Sequence, residues 1–256
     1  MFRNAIVRPP APNFGDGLTT VDLGAPDHAL ALVQHEAYCA ALERCGLELT
    51  RLPEDPRHPD STFVEDTAIP VGGRVILARP GAASRKGEVA AIREALSKFY
   101  DRMDAIEEPG TLDGGDVCEA DGHVFIGLSH RTNDEGAKQL AAFLANGGMS
   151  SATIDIRAIH DILHLKSGLA YVGQDRVVAI QALAAHPALE RYRVLTVHPD
   201  ENYAANCVLV NDRILVPSGH PRMLAALEHL GLEPVALDAS EFRRMDGGLS
   251  CLSLRF

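Results

Sequence analysis

The chain has 256 residues, 46% of them hydrophobic, and a formal net charge of −11. That length can bury one sizeable core or two, and the acidic balance argues against a general affinity for nucleic acid, whose phosphates require a basic face. No apolar run approaches the roughly 18 residues of a membrane-spanning helix, so the expectation is a single domain over 1–256 with no membrane partner.

In chain order, residues 5–8 read as a short β run, followed by an amphipathic helix over 27–45 that Gly46 ends, and a second β run over 47–52. Four later segments share one design, two β runs joined by a tight polar turn. They are 65–79 turning at Gly72-Gly73, 115–128 at Asp121-Gly122, 168–180 near Gly173-Gln174-Asp175, and 205–217 at Asn211-Asp212. Such residues accept the positive φ angles of two-residue hairpin loops. Each hairpin leads to a helical pattern and another β run. The pairs are 86–99 with 104–106, 134–146 with 152–156, 181–192 (interrupted by Pro187) with 193–197, and 221–230 with 234–237. Asn133 or Asp134 caps the second of these helices and Gly147-Gly148 closes it. Pro221 starts the last and Gly231 ends it.

Only the first segment lacks a hairpin. The final run, 249–256, alternates as a strand does and follows two glycines, Gly247 and Gly248, that permit a tight turn. A terminal strand frays unless something pairs with it. Pairing it with residues 5–8 gives five ββαβ units with pseudo-five-fold symmetry, an α/β ring closed by its own two ends.

A ring brings the starts of the five first strands to one axis. Those starts carry Asp60, Glu65 and Asp66; Asp113 and Asp116; His164; Asn206; and Cys251. Five cysteines without CxxC spacing point to a reducing cytoplasm, as does a chain start without an extended apolar stretch. Cys39, Cys45, Cys118 and Cys207 lie inside helix or strand patterns, where a thiol acts as a small hydrophobe. Cys251 follows Asp246-Gly247-Gly248 and is either one more such thiol or a nucleophile. His160 and His164 stand four apart, as zinc-binding histidines do on a helix. Their surroundings read as strand and turn, which favours His164 acting singly as acid and base, with His160 on the surface. The acidic stretch from Asp60 to Asp66 is either a solvated loop or a metal site. Phe63 and the Ser61-Thr62 pair break the regular oxygen spacing of a calcium loop.

Six stretches carry a resemblance: Asp60-Ser61-Thr62-Phe63-Val64-Glu65-Asp66, Gly110-Thr111-Leu112-Asp113-Gly114-Gly115-Asp116, Arg131-Thr132-Asn133, His164-Leu165-Lys166, Ala205-Asn206-Cys207 and Asp246-Gly247-Gly248-Leu249-Ser250-Cys251. Together they resemble the dimethylarginine dimethylaminohydrolases, a family of guanidino-modifying enzymes with the five-bladed α/β-propeller (pentein) fold. The resemblance runs from Arg8 to Phe256. It implies a hydrolase that converts Nω-methylated L-arginines to L-citrulline and dimethylamine or methylamine, through a covalent thiouronium on cysteine. Carried over by position, Cys251 is the nucleophile, His164 the general acid and base, and Asp113 and Asp66 hold the guanidinium. Leu18, Asp60, Phe63, Glu65, Arg85, Arg131 and the backbone of Met245 match positions that bind substrate, with the two arginines suited to the α-carboxylate. Leu18 sits in a candidate lid, 15–19.

Some bacterial relatives have glutamate where this chain has Asp113. Lys166 stands where related deiminases typically have an acid, and losing that carboxylate fits a methylated nitrogen. The resemblance implies no cofactor and no resident metal, and leaves the oligomeric state open. The alternatives are an arginine deiminase or amidinotransferase of the same superfamily, or a non-catalytic binding protein on the same fold.

Overall fold

A computed structural model describes residues 1–256 as five three-stranded sheets. The chain divides into two compact units, residues 1–64 with 206–256, and residues 65–205.

The chain begins with β1 (Asn4–Val7), α1 (His28–Arg44) and β2 (Glu48–Arg51). The Asp27 side chain accepts hydrogen bonds from the Ala29 and Leu30 amides, meeting N–H groups that the first helical turn cannot satisfy. Gly46, at φ +88°, turns the chain out of the helix into β2, which runs parallel to β1.

The middle of the chain repeats the theme. The next sheet holds β3 (Ala68–Val71), β4 (Arg74–Leu77) and β5 (Asp104–Ala105), with α2 (Val89–Leu96) between the last two. Then come β6 (Val117–Ala120), β7 (His123–Leu128), α3 (Asp134–Asn146) and β8 (Ser150–Asp155). β9 (Leu169–Tyr171), β10 (Arg176–Ala179) and β11 (Arg193–Thr196) complete this part. In each sheet the hairpin pair is antiparallel and the third strand parallel. The turn chemistry holds where two glycines or Asp-Gly meet, since Gly72, Gly73, Asp121 and Gly122 all have positive φ. At Asn211-Asp212 only Asn211 does.

Two of the helical patterns fold differently from their sequence. Residues 181–192 form turns and one 3-10 turn, Pro187–Leu189, instead of a helix. Pro187 has no N–H to continue a ladder and its ring obstructs the preceding turn. Residues 86–99 begin as a 3-10 segment, Ala83–Glu88, and become α-helical only over α2.

The last part returns to the first unit with β12 (Val208–Val210), β13 (Arg213–Pro217), α4 (Pro221–His229), β14 (Glu233–Leu237), α5 (Ser240–Arg243) and β15 (Leu254–Arg255). β15 pairs antiparallel with β1, Ala5 opposite Arg255 and Ile6 opposite Leu254, so the C-terminal strand completes the first sheet. The strand expected over 249–256 is shorter than its alternation suggested. Leu249–Leu252 is a 3-10 turn and only residues 254–255 are strand. Tyr38 of α1 meets Ser253 through a 2.7 Å hydroxyl pair in the core, which fixes this last segment.

Each unit has its own apolar core. Phe14, Phe63 and Phe242 form an aromatic trio in the first, with ring centroids 5.6–6.3 Å apart. Ile76, Leu112, Val124, Ile126, Leu140 and Leu144 pack together in the second. Each such side chain contributes about 1.5–3 kcal/mol when buried. No helix is long and apolar enough to cross a membrane.

Candidate active site

A 3-10 turn lies at the corresponding place ahead of each of the five sheets, just before the strand that pairs antiparallel. The five are Val64–Thr67, Gly114–Asp116, Leu165–Ser167, Pro199–Ala205 and Leu249–Leu252. The polar residues singled out in the sequence sit on or beside these turns. A 3-10 turn leaves amides without partners along its start, and side chains of other turns supply them. Asp66 Oδ1 accepts from the Gly115 amide at 2.8 Å, Asp116 Oδ1 from the Leu165 amide at 2.9 Å, and Asn206 Oδ1 from the Ser250 amide at 2.9 Å. One turn's side chain holds the next turn's backbone.

In the unit of residues 65–205 this assembles a buried charged cluster. His164 Nε2 lies 3.0 Å from Asp113 Oδ2, and Asp113 Oδ1 accepts from the Gly81 amide at 2.8 Å. Asp66 Oδ2 pairs with Arg85 Nη1 at 2.5 Å. Glu88 grips the other side of that guanidinium, accepting from Nε at 3.1 Å and Nη2 at 2.8 Å. Lys166 makes an ion pair with Glu65. All of Asp66, Arg85, Glu88, Asp113, Asp116 and His164 are buried. Glycines permit the density. A Cβ on Gly115 would stand 2.9 Å from the His164 ring, and one on Gly81 would overlap the Arg131 backbone.

Arg131 differs from Arg85. Its backbone amide donates to Ser129 Oγ at 3.0 Å, but its Nη1 is buried and makes no hydrogen bond. A buried guanidinium N–H without an acceptor costs free energy, which a bound anion would recover.

The burial of these groups is set against their charges. Burial alone would push the His164 imidazole down, yet the Asp66 and Asp116 carboxylates and the bond to Asp113 hold it up at about 9. Burial would raise Asp66, but the charges of His164 and Arg85 keep it at about 2. For Asp116 burial prevails over His164 and three hydrogen bonds, pushing it up to about 6.

The other predicted residues lie in the unit of residues 1–64 and 206–256. Cys251 is 7% exposed and sits on the turn Leu249–Leu252, its amide donating to Gly248 O at 3.1 Å. None of the five cysteines is in a disulfide. The two glycines ahead of Cys251 have packing reasons: a Cβ on Gly247 would overlap the Phe63 ring, and one on Gly248 would overlap the Asn206 amide. Phe63 thus places its ring in the aromatic core, and Met245 is likewise buried. Leu18, 40% exposed, donates its amide to Asp60 Oδ1 at 2.9 Å. The loop around it is also tied down by Asp246, whose Oδ2 accepts from Thr20 N at 2.5 Å and Thr20 Oγ1 at 2.9 Å. His160 is exposed, on a turn, as expected.

Reading the sequence missed Glu88, Gly81, Ser129, Thr132 and the holding role of Asp246. The spacing of Arg85 and Glu88, three apart, was a usable signal. Nothing local marks the others.

Asp66, Asp113 and His164 each bring a ligating atom within 4.8 Å of one another, a geometry that a metal could use. The oxygens of both carboxylates already accept from Arg85, His164 and two backbone amides. A carboxylate oxygen with one such bond keeps a lone pair that can accept from a further N–H.

The sequence profile of the arginine deiminase family matches residues 55–207. The N(G),N(G)-dimethylarginine dimethylaminohydrolase of Pseudomonas aeruginosa is 42% identical over 257 residues, covering 100% of both chains. The chain belongs to the dimethylarginine dimethylaminohydrolase family. That makes it a hydrolase on the five-unit α/β-propeller fold. The Streptomyces coelicolor protein of the same name is 35% identical over 254 residues, covering 99% of this chain and 96% of its own. A structure of the Pseudomonas protein, a cysteine-to-serine variant complexed with citrulline, superposes with a TM-score of 0.96 over all of both chains at 42% identity.

Proposed function

We propose that the chain converts asymmetric dimethylarginine and monomethylarginine to L-citrulline and dimethylamine or methylamine, with Cys251 as nucleophile and His164 as acid and base. The observation that carries this reading is the buried set Asp66, Asp113 and His164, two carboxylates around one imidazole with ligating atoms within 4.8 Å. A guanidinium is a poor electrophile because its charge is delocalised. Carboxylates that accept its N–H groups fix its plane and leave the central carbon to be attacked.

The Cys251 thiolate adds to that carbon. The bond to the methylated nitrogen then breaks, and His164 gives its proton to the departing amine. A thiouronium remains on Cys251. Water, deprotonated by His164, adds its oxygen to the carbon; the carbon–sulfur bond breaks and the thiolate returns. The elevated protonation of His164 suits the first of these proton transfers. Arg131, with its unmet Nη1, takes the substrate α-carboxylate. Arg85, held by Glu88 and Asp66, keeps Asp66 ionised and in place. Leu18, Asp60, Glu65, Phe63 and Met245 complete the binding set. Residues 1–256 act as one catalytic domain, working in the cytoplasm.

The Lys166–Glu65 pair separates this activity from deimination. Lys166 neutralises a carboxylate that would otherwise accept from an unmethylated nitrogen. Lys166→Met therefore raises the ratio of ammonia to dimethylamine, released from arginine and dimethylarginine respectively, by about tenfold. The deciding assay follows citrulline from dimethylarginine with and without a chelator. Citrulline accompanied by dimethylamine in both arms supports the reading; ammonia from arginine alone, or loss of turnover with chelator, refutes it.

A further inference from the structure

The mechanism above leaves one fully buried carboxylate without a role. Asp116 is 0% exposed and accepts three hydrogen bonds, from Leu165 N at 2.9 Å, Ser129 Oγ at 2.6 Å and Thr132 Oγ1 at 2.6 Å. Each partner leads to a residue that handles substrate. Leu165 follows His164 directly. Thr132 Oγ1 accepts from the Asp113 amide at 3.1 Å. Ser129 Oγ accepts from the Arg131 amide at 3.0 Å and the Thr132 amide at 3.1 Å.

We propose that Asp116 is a positioning residue, a single node that sets the backbone of His164, Asp113 and Arg131 relative to one another. The proposal rests on the roles given to those three residues above. The chemistry of the node requires a carboxylate. A hydroxyl has one hydrogen and two lone pairs. Ser129 and Thr132 each spend their hydrogen on Asp116, which frees their lone pairs for backbone amides. An asparagine has the same shape but would aim its NH2 at both hydroxyls. Ser129 would then face three donors with two lone pairs, and both hydroxyl hydrogens would be buried without an acceptor, so Asp116→Asn breaks the node while keeping its volume.

Asp116 also adds its charge to the groups that face His164. These are Asp66 on the turn Val64–Thr67, Asp113 just ahead of the turn Gly114–Asp116, Asp116 at the end of that turn, and Arg85 acting through Asp66. Removing one of three anions from an imidazole at this depth lowers its proton affinity.

Three variants and two readouts test the node. In Ser129→Ala the Arg131 branch is cut along with the bond from the Thr132 amide, while Thr132 Oγ1 keeps its own bond to Asp116, so KM for dimethylarginine rises about tenfold and kcat falls by a smaller factor, under about threefold. In Thr132→Val the Asp113 branch is cut, kcat falls about tenfold, and Thr132→Ser restores it. In Asp116→Asn the midpoint of the His164 imidazole titration, followed by NMR, drops by about one pH unit or more. An unmoved His164 midpoint overturns the proposal. So does a loss in Ser129→Ala and Thr132→Val that falls equally on kcat and KM and tracks only with lowered unfolding midpoints. If Asp116→Asn does not accumulate, the other two variants decide. A wild-type chain that makes no citrulline refutes the functional reading instead, and the imidazole titration still decides the role of Asp116.

Discussion

His35 and His164 are 3% and 5% exposed, yet their imidazoles are displaced in opposite directions. His35 lies on α1 with its Nε2 making no hydrogen bond and its Nδ1 3.7 Å from Cys39 Sγ. Burial dominates there and takes it down to about 4 against the opposing charge of Glu36. His164 suffers the same burial, but the surrounding carboxylates reverse the outcome and hold it near 9. The thiol beside His35 follows the same burial. Burial pushes Cys39 up to about 12, so a cysteine and a histidine one helical turn apart, a plausible dyad on paper, form an unreactive pair. Depth alone does not make a site; the arrangement of anions around the buried group does.

The most severe way to break this comparison is to remove the reactive members. His164→Asn or Cys251→Ser should lower citrulline formation by about 10³-fold or more, because in the proposed mechanism each takes away a partner in bond making or proton transfer. Cys39→Ala should change it by less than about twofold. Full turnover by Cys251→Ser, measured as citrulline per active site, would put the chemistry elsewhere.

How much of this could be read from the residues depends on the range of the determining interaction. The hairpins were legible because Gly72-Gly73 and Asp121-Gly122 adopt positive φ through local sterics alone. The pairing of the chain ends followed from an unpartnered β run at each end, and Ala5 opposite Arg255 bears it out. Residues 249–252 misled, because a four-residue 3-10 turn has no periodicity of its own and an alternating pattern reads as strand. Residues 181–192 read as a helical pattern interrupted by Pro187, and in the chain only a 3-10 turn at Pro187–Leu189 forms. Cys251 and His164 were recognisable by residue type and motif. The Ser129–Asp116–Thr132 node depends on which side chains meet in space, so residue type gave no warning of it.

A smaller effect sharpens the contrast through stability. The folded chain keeps a proton on His164 up to about 9, while an unfolded histidine releases it near 6.5. The stabilisation linked to that proton is complete below 6.5 and is lost as pH rises through about 9. Without substrate, the urea midpoint should fall over that window by the equivalent of about 2 kcal/mol. His164→Asn should flatten this alkaline limb. A wild-type midpoint that does not change between these pH values would mean that His164 is neutral in the folded chain.

The acid side tests the other histidine, with the smallest expected effect. His35 has a folded value of about 4 against 6.5 unfolded, so its contribution is complete above 6.5 and lost as pH falls towards 4. Asp116 acts in nearly the same window with the opposite sign. Its folded value of about 6 exceeds the ordinary 3.8, so its linked stability is complete below 3.8 and lost as pH rises through 6. The two slopes oppose each other, which should leave the wild-type chain nearly flat between pH 4 and 6. His35→Leu removes one of them and also the unmet Nε2. The variant should therefore gain about 1 kcal/mol as pH is lowered across that window, read from urea midpoints at intervals of half a pH unit. A variant whose midpoints stay as flat across that window as those of the wild type would show that His35 is not the buried neutral group its surroundings imply.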